Sequence, residues 1–234
     1  MAKSTKSHRD PLVEVVAVFA IFLGSVFAFG ADTSQPEVIV KPTVKRSYVV
    51  PSGEPENLVT NLAAPWELVF LPDGMALVDE RDTGTILQID QDLNVKQVAF
   101  TSTKPPCEKF CEGGTLGMTY AADRIGNQLS LFVFLTTDKD NRILKYDLDK
   151  VDGNWQLSNQ RVLLKGIDRS GKSTTHNGGR LAIGPDGKLW VSLGDAGMRA
   201  STSQSWDRLG GSILRLNLDG SIPDDNPHKG SFIW

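Results

Sequence analysis

Histidine exchanges a proton more readily near neutral pH than any other unperturbed side chain. The chain holds three, at positions 8, 176 and 228. His176 stands between Ser173-Thr174-Thr175 and Asn177-Gly178-Gly179-Arg180, a polar turn just ahead of the apolar run Leu181-Ala182-Ile183. An imidazole at the mouth of a strand suits removal of a hydroxyl proton. By position alone, a turn histidine bonded to local backbone is the plainer reading. The two cysteines, Cys107 and Cys111, lie four residues apart in Pro-Pro-Cys-Glu-Lys-Phe-Cys-Glu-Gly-Gly. Two thiolates could begin a metal site, but structural zinc takes about four ligands and no histidine is near. A small-loop disulfide is the expectation.

Other motifs carry less. Gly166-Ile167-Asp168-Arg169-Ser170-Gly171-Lys172-Ser173 satisfies the phosphate-cradling Gly-x-x-x-x-Gly-Lys-Ser pattern. That pattern binds phosphate only where it follows a strand and opens a helix. The adjacent glycines 178 and 179 and the following Pro185 make a helix there implausible, so the match reads as a coincidental polar loop. Asp147, Asp149, Asp152 and Gly153 miss the spacing of a calcium loop because position 151 is Val. Asp224-Asp225-Asn226-Pro227 reads as a solvated acidic turn, and no Gly-x-Ser-x-Gly elbow is present.

The elements around these residues read as short strands. Pro72-Asp73-Gly74 separates Leu68-Val69-Phe70 from Ala76-Leu77-Val78, and Pro185-Asp186-Gly187 separates Leu181-Ala182-Ile183 from Leu189-Trp190-Val191. Apolar runs divided by Asp-Gly turns are hairpin signals. The resemblance continues: Gly84-Thr85-Ile86-Leu87-Gln88-Ile89-Asp90 follows the first hairpin and Gly211-Ser212-Ile213-Leu214-Arg215-Leu216-Asn217 the second. Between them, 116–120, 129–135 and 142–147 supply three more strand-like runs. The spacing holds two periods of roughly 50 to 60 residues, which suits four-stranded propeller blades. A β-sandwich is the competing architecture.

At 234 residues, with 40% hydrophobic and 23% charged residues, the chain is neither disordered nor a polytopic membrane protein. Its 25 basic and 28 acidic residues give a net charge of −3, without the basic excess of a nucleic-acid binder. Lys3, Lys6 and Arg9 precede the uncharged run Val15–Gly30. This fits a secretory signal cleaved before Ala31, or an uncleaved apolar helix anchoring residues 11–30 in a membrane. Either way the chain is exported, to the periplasmic or extracellular face. The expected domains are this leader (1–30), a linker or first strand (31–55) and a partial β-propeller (56–234). Residues 56–234 hold about three blades where propellers close with about 4–8, so the sequence reads as truncated.

Three segments resemble the glucose/sorbosone dehydrogenase family: Glu112-Gly113-Gly114-Thr115-Leu116-Gly117, His176–Asp195 and Leu209–Pro227. These are quinoprotein sugar dehydrogenases that use pyrroloquinoline quinone (PQQ) on a six-bladed propeller of four-stranded antiparallel blades. The resemblance implies oxidation of an aldose at C1 to the lactone. His176 would be the catalytic base, taking the C1 hydroxyl proton while hydride passes to the quinone. Glu112 falls where glucose-oxidising members have a glutamine lining the cofactor and sugar pocket. Thr175 falls where they have an aspartate beside the base, which implies a broader aldose-type member. The connection from Ala196 to Arg208 is also shorter than theirs. The partners implied are an aldose and an external electron acceptor. The cationic PQQ contacts and the Ca²⁺ ligands would lie beyond Trp234, so the chain alone is expected to bind PQQ weakly and not turn over. The alternative is an extracellular propeller that binds a partner and has no quinone site.

Overall fold

The computed structural model describes residues 53–101, 112–122, 128–171, 175–197 and 203–234. The leader expected at 1–30, most of the expected linker and the cysteines of the expected Cys107–Cys111 disulfide lie outside them. Among the described residues no helix is long and apolar enough to cross a membrane.

Three antiparallel sheets follow one another along the chain. The first orders β1 (Pro65–Phe70), β2 (Ala76–Glu80), β3 (Thr85–Ile89) and β4 (Val95–Phe100) side by side. The second does the same with β5 (Thr115–Ala122), β6 (Leu129–Thr136), β7 (Asn141–Val151) and β8 (Asn154–Ile167). The third contains β9 (Gly178–Ile183), β10 (Leu189–Leu193) and β11 (Ile213–Leu216). A fourth line of pairing begins on β11. Leu214 bridges Ile233, the Arg215 N–H donates to the Phe232 carbonyl at 2.8 Å, and Trp234 N–H donates to Ile213 at 2.9 Å. Up-and-down sheets of this kind are propeller blades.

Turn chemistry explains the repetition. In the β1–β2 turn Gly74 N–H donates to Leu71 O at 3.0 Å, and in the β9–β10 turn Gly187 N–H donates to Gly184 O at 2.9 Å. Both glycines adopt positive φ, +85° and +72°, as three-residue hairpin loops require. Asp73 and Asp186 each accept the N–H two residues on, from Met75 and Lys188, both at 3.1 Å. Each also accepts a tryptophan indole N–H, from Trp155 at 2.9 Å and Trp190 at 3.2 Å. The expected hairpins and their internal repeat are therefore present. Asp152-Gly153 closes β7 onto β8 as a two-residue turn with both φ positive (+49° and +79°).

Strand β4 was not singled out by the sequence, and of β8 only Arg161–Lys165 reads as strand-like there. Both are mostly exposed outer strands, so little apolar alternation marks them.

The middle sheet is buried on both faces. Leu131, Val133 and Leu135 of β6 pack with Leu77 and Ile86 of the first blade. The intervening Phe132 and Phe134 pack with Leu181, Val191 and Leu214 of the third. Strand alternation with period two thus feeds two separate cores. Blades turn face to face, and β1, β5 and β9 become neighbours at their inner edge.

Candidate active site at the inner edge of the blades

The loops leading into β5 and β9 and the loop leaving β10 carry the chemistry. Glu112 lies just before β5, His176 two residues before β9, and Asp195 two residues after β10. The backbone N–H of His176 donates to Glu112 Oε2 at 2.8 Å. Its ring Nδ1 is 2.9 Å from Asp195 Oδ1. Its carbonyl accepts from the Ala196 N–H at 3.0 Å. The His176 side chain is 62% exposed and Asp195 27%, so the pair sits at an open rim. Thr175, half-buried, stands beside the histidine, and a Cβ on Gly197 would lie 3.4 Å from its hydroxyl.

The backbone explains how His176 is presented. It adopts φ +54°, a left-handed conformation uncommon for a residue with a Cβ. The next residue is the anchor: Asn177 is buried, and its side-chain oxygen accepts from Asn141 Nδ2 at 3.1 Å. The same amide donates to the Asp168 carbonyl at 2.7 Å, tying the turn to the end of β8. Close approach on the other side requires glycine. A Cβ on Gly194 would lie 2.0 Å from the His176 carbonyl oxygen.

Asp195 accepts from the Gly197 backbone N–H at 2.9 Å as well as facing the imidazole. The backbone bond first, and the histidine second, hold its carboxyl below the usual carboxylate range. The carboxylate therefore stays charged, and Asp195 fixes the ring while leaving Nε2 without a hydrogen bond to the described residues. That arrangement can accept a proton at Nε2 and stabilise the resulting imidazolium.

The structure brings Glu112, Thr175 and His176 to one place. Asp195 was not named as a site residue; its sequence signals are its place at the end of the family-like segment 176–195 and of a strand, and pairing β9 with β10 is what brings it to His176. Next to this group, Trp66, Glu67, Gly117, Gly178, Arg180 and Ser192 line a cavity of about 370 Å³. An ion pair between Arg180 and Glu67 crosses it from β9 to β1.

Two motif readings are decided by the fold. The Gly166–Ser173 pattern begins inside β8, which runs to Ile167, and no helix follows among the described residues. The acidic turn at 224–227 is not simply a solvated loop, which is a correction. Asp225 grips Arg215 with both oxygens at 2.7 and 3.0 Å, and the buried Asn226 donates to the Arg215 carbonyl at 3.1 Å. Among the described residues no group of three or more His, Cys, Asp or Glu gathers as a metal site.

The chain resembles known proteins in sequence and in fold. Quinoprotein glucose dehydrogenase B of Acinetobacter calcoaceticus is 28% identical over 250 residues, covering 94% of this chain and 49% of that protein. An aldose sugar dehydrogenase of Escherichia coli K12 is 28% identical over 180 residues, covering 74% of this chain and 46% of its own. The chain thus spans about half the length of these curated relatives. In structure, the PQQ-bound aldose sugar dehydrogenase of Streptomyces coelicolor superposes with a TM-score of 0.64 at 33% identity, over 76% of this chain and 52% of that one. The sequence pattern of the family described as Glucose / Sorbosone dehydrogenase matches residues 62–232, from the lead into β1 to the strand that pairs with β11, and the chain belongs to that family.

Proposed function

We propose that these blades carry the proton-transfer half of a PQQ-dependent aldose dehydrogenase, which oxidises a sugar at C1 to the lactone. The observation that carries this reading is the His176–Asp195 pair at an open rim, with Nδ1 2.9 Å from the carboxylate and Nε2 without a hydrogen bond to the described residues. Nε2 accepts the C1 hydroxyl proton as the C1–O bond gains double-bond character, and Asp195 stabilises the imidazolium. PQQ, when bound, supplies the acceptor for the hydride leaving C1.

The residues present fit part of the cofactor's needs. Glu112 Oε1 has no hydrogen bond to the described residues and could accept from a sugar hydroxyl or a cofactor donor. Three cofactor carboxylates require cations, and Glu112, Thr175, His176 and Asp195 supply none beyond a protonated imidazole. Those contacts, with the Ca²⁺ ligands, are assigned to further blades of a six-bladed ring, since the chain spans about half of its relatives. Thr175 in place of a second carboxylate beside the base favours a broad range of aldoses. An external acceptor removes the electrons, and the protein works outside the cytoplasm.

The test is dye-linked aldose oxidation by the longer protein that carries the further blades, reconstituted with PQQ and Ca²⁺. His176→Gln is expected to lower kcat by about 10²–10⁴-fold while PQQ binding, followed by absorbance titration, stays intact. Turnover retained at the parent rate would reject His176 as the base.

A further inference from the structure

We infer that Glu112 is a positioning residue: from the neighbouring blade, its carboxylate holds the main chain of His176 in the left-handed turn that aims the imidazole. This rests on the reading of His176 as the base.

A residue with a Cβ at φ +54° lies about 1–2 kcal/mol above its ordinary conformations, and such a turn persists only when its surroundings fix it. Here both main-chain polar groups of His176 are fixed. The carbonyl accepts from the Ala196 N–H at 3.0 Å, within the same blade. The N–H donates to Glu112 Oε2 at 2.8 Å, across to the loop before β5. A bond to a carboxylate is about twice as strong as one between neutral groups. With the main chain held at both ends, rotation about the side chain alone brings Nδ1 onto Asp195.

Glu112 can do this because the strand that follows its loop is stapled to the first blade and to β6 of its own. The Thr115 N–H donates to the Arg81 carbonyl at 3.2 Å, and the Thr136 N–H donates to the Gly114 carbonyl at 2.8 Å. Gly114 is at φ +150°, and a Cβ there would lie 2.0 Å from the Arg81 carbonyl oxygen. A Cβ on Gly117 would lie 2.0 Å from the Gly179 carbonyl oxygen, so β5 and β9 meet without side chains between them. The glycines set the separation that a glutamate side chain spans. Oε1, without a hydrogen bond to the described residues, leaves Glu112 able to meet a ligand without releasing the histidine.

The experiment compares the chain with Glu112→Gln and Glu112→Ala by NMR. Glutamine retains an oxygen acceptor; alanine does not. Both variants should keep Tm within about 2 °C of the parent, because Glu112 is exposed and surface changes cost little. The His176 amide should be protected from hydrogen exchange in the parent and in Glu112→Gln. In Glu112→Ala it should exchange at least about tenfold faster. The hydrogen-bonded Nδ1 proton signal should weaken in Glu112→Ala although Asp195 is untouched, and return in Glu112→Gln. Unchanged His176 protection and Nδ1 signal in Glu112→Ala would overturn the inference, as would failure of glutamine to restore them. None of these readouts requires turnover. Retained activity in His176→Gln would therefore remove the base while leaving the Glu112 result standing.

Discussion

One carboxyl outside the site is buried in an unusual setting. Asp79 on β2 is fully buried; Oδ1 accepts from the Glu67 N–H at 2.7 Å, and Oδ2 has no partner among the described residues. Burial first, and the nearby Glu67 carboxylate after it, push its pKa up to about 8 from 3.8. The folded chain thus holds a proton that the unfolded chain releases. Its stabilising contribution is complete below about pH 3.8 and is lost as the pH rises through about 8. Asp79→Asn is expected to flatten the fall of Tm across that window and to exceed the parent in Tm above about pH 8. Parallel Tm–pH curves in a circular-dichroism series would contradict this. Asp186 behaves oppositely: burial opposes its ionisation, but the hydrogen bond from Arg215 wins and holds its carboxyl at about 2.

Arg215 on β11 shows how single residues join elements. Its side chain is 4% exposed; Nε donates to Asp186 Oδ2 at 2.8 Å and its remaining nitrogens reach Asp225 and Asn226. Its guanidinium carbon lies 5.8 Å from the centre of Trp190 and 5.0 Å from that of Trp234. The β9–β10 turn, the 224–227 turn and the final strand-like segment therefore converge on one cation. Arg215→Ala leaves Asp186 and Asp225 facing each other and empties a gap between two indoles. A Tm lower by at least about 5 °C is expected in a thermal melt, and a change of under about 1 °C would show that the turn closes by itself. None of this was legible in the sequence, where Asp224-Asp225-Asn226-Pro227 carries only turn signals.

Among the described residues, both faces of the middle blade are buried. On the far face of the first blade Val59 and Leu62 cover Ala76, Val78, Leu87 and Ile89 and leave other apolar side chains exposed. Leu58, Leu68 and Phe70 are exposed there, beside a groove of about 420 Å³ lined mainly by apolar side chains. Sheets of this kind bury both faces, and an open apolar face promotes association. Phe70 is 68% exposed, so Phe70→Glu is expected to leave Tm within about 2 °C of the parent. The same change should reduce self-association of the chain in light scattering. Equal scattering before and after would assign the association to another surface.

Local rules made much of the fold legible. Pro-Asp-Gly turns flanked by apolar runs specify hairpins through glycine's access to positive φ and aspartate's bond to the N–H two residues on. Repetition of that unit marked the blades, and the family pattern marked His176 and Glu112. The outer strand β4 stayed hidden, because an exposed strand has no buried face to write into its sequence. The partnerships of His176 were hidden for a different reason. Asp195 meets it through the register of β9 against β10, and Glu112 through the glycine-lined approach of β5 to β9. Turn type depends on neighbours along the chain, so the sequence determines it alone. The aim of a side chain depends on which strands lie side by side and how closely their backbones meet, and only the tertiary structure decided that.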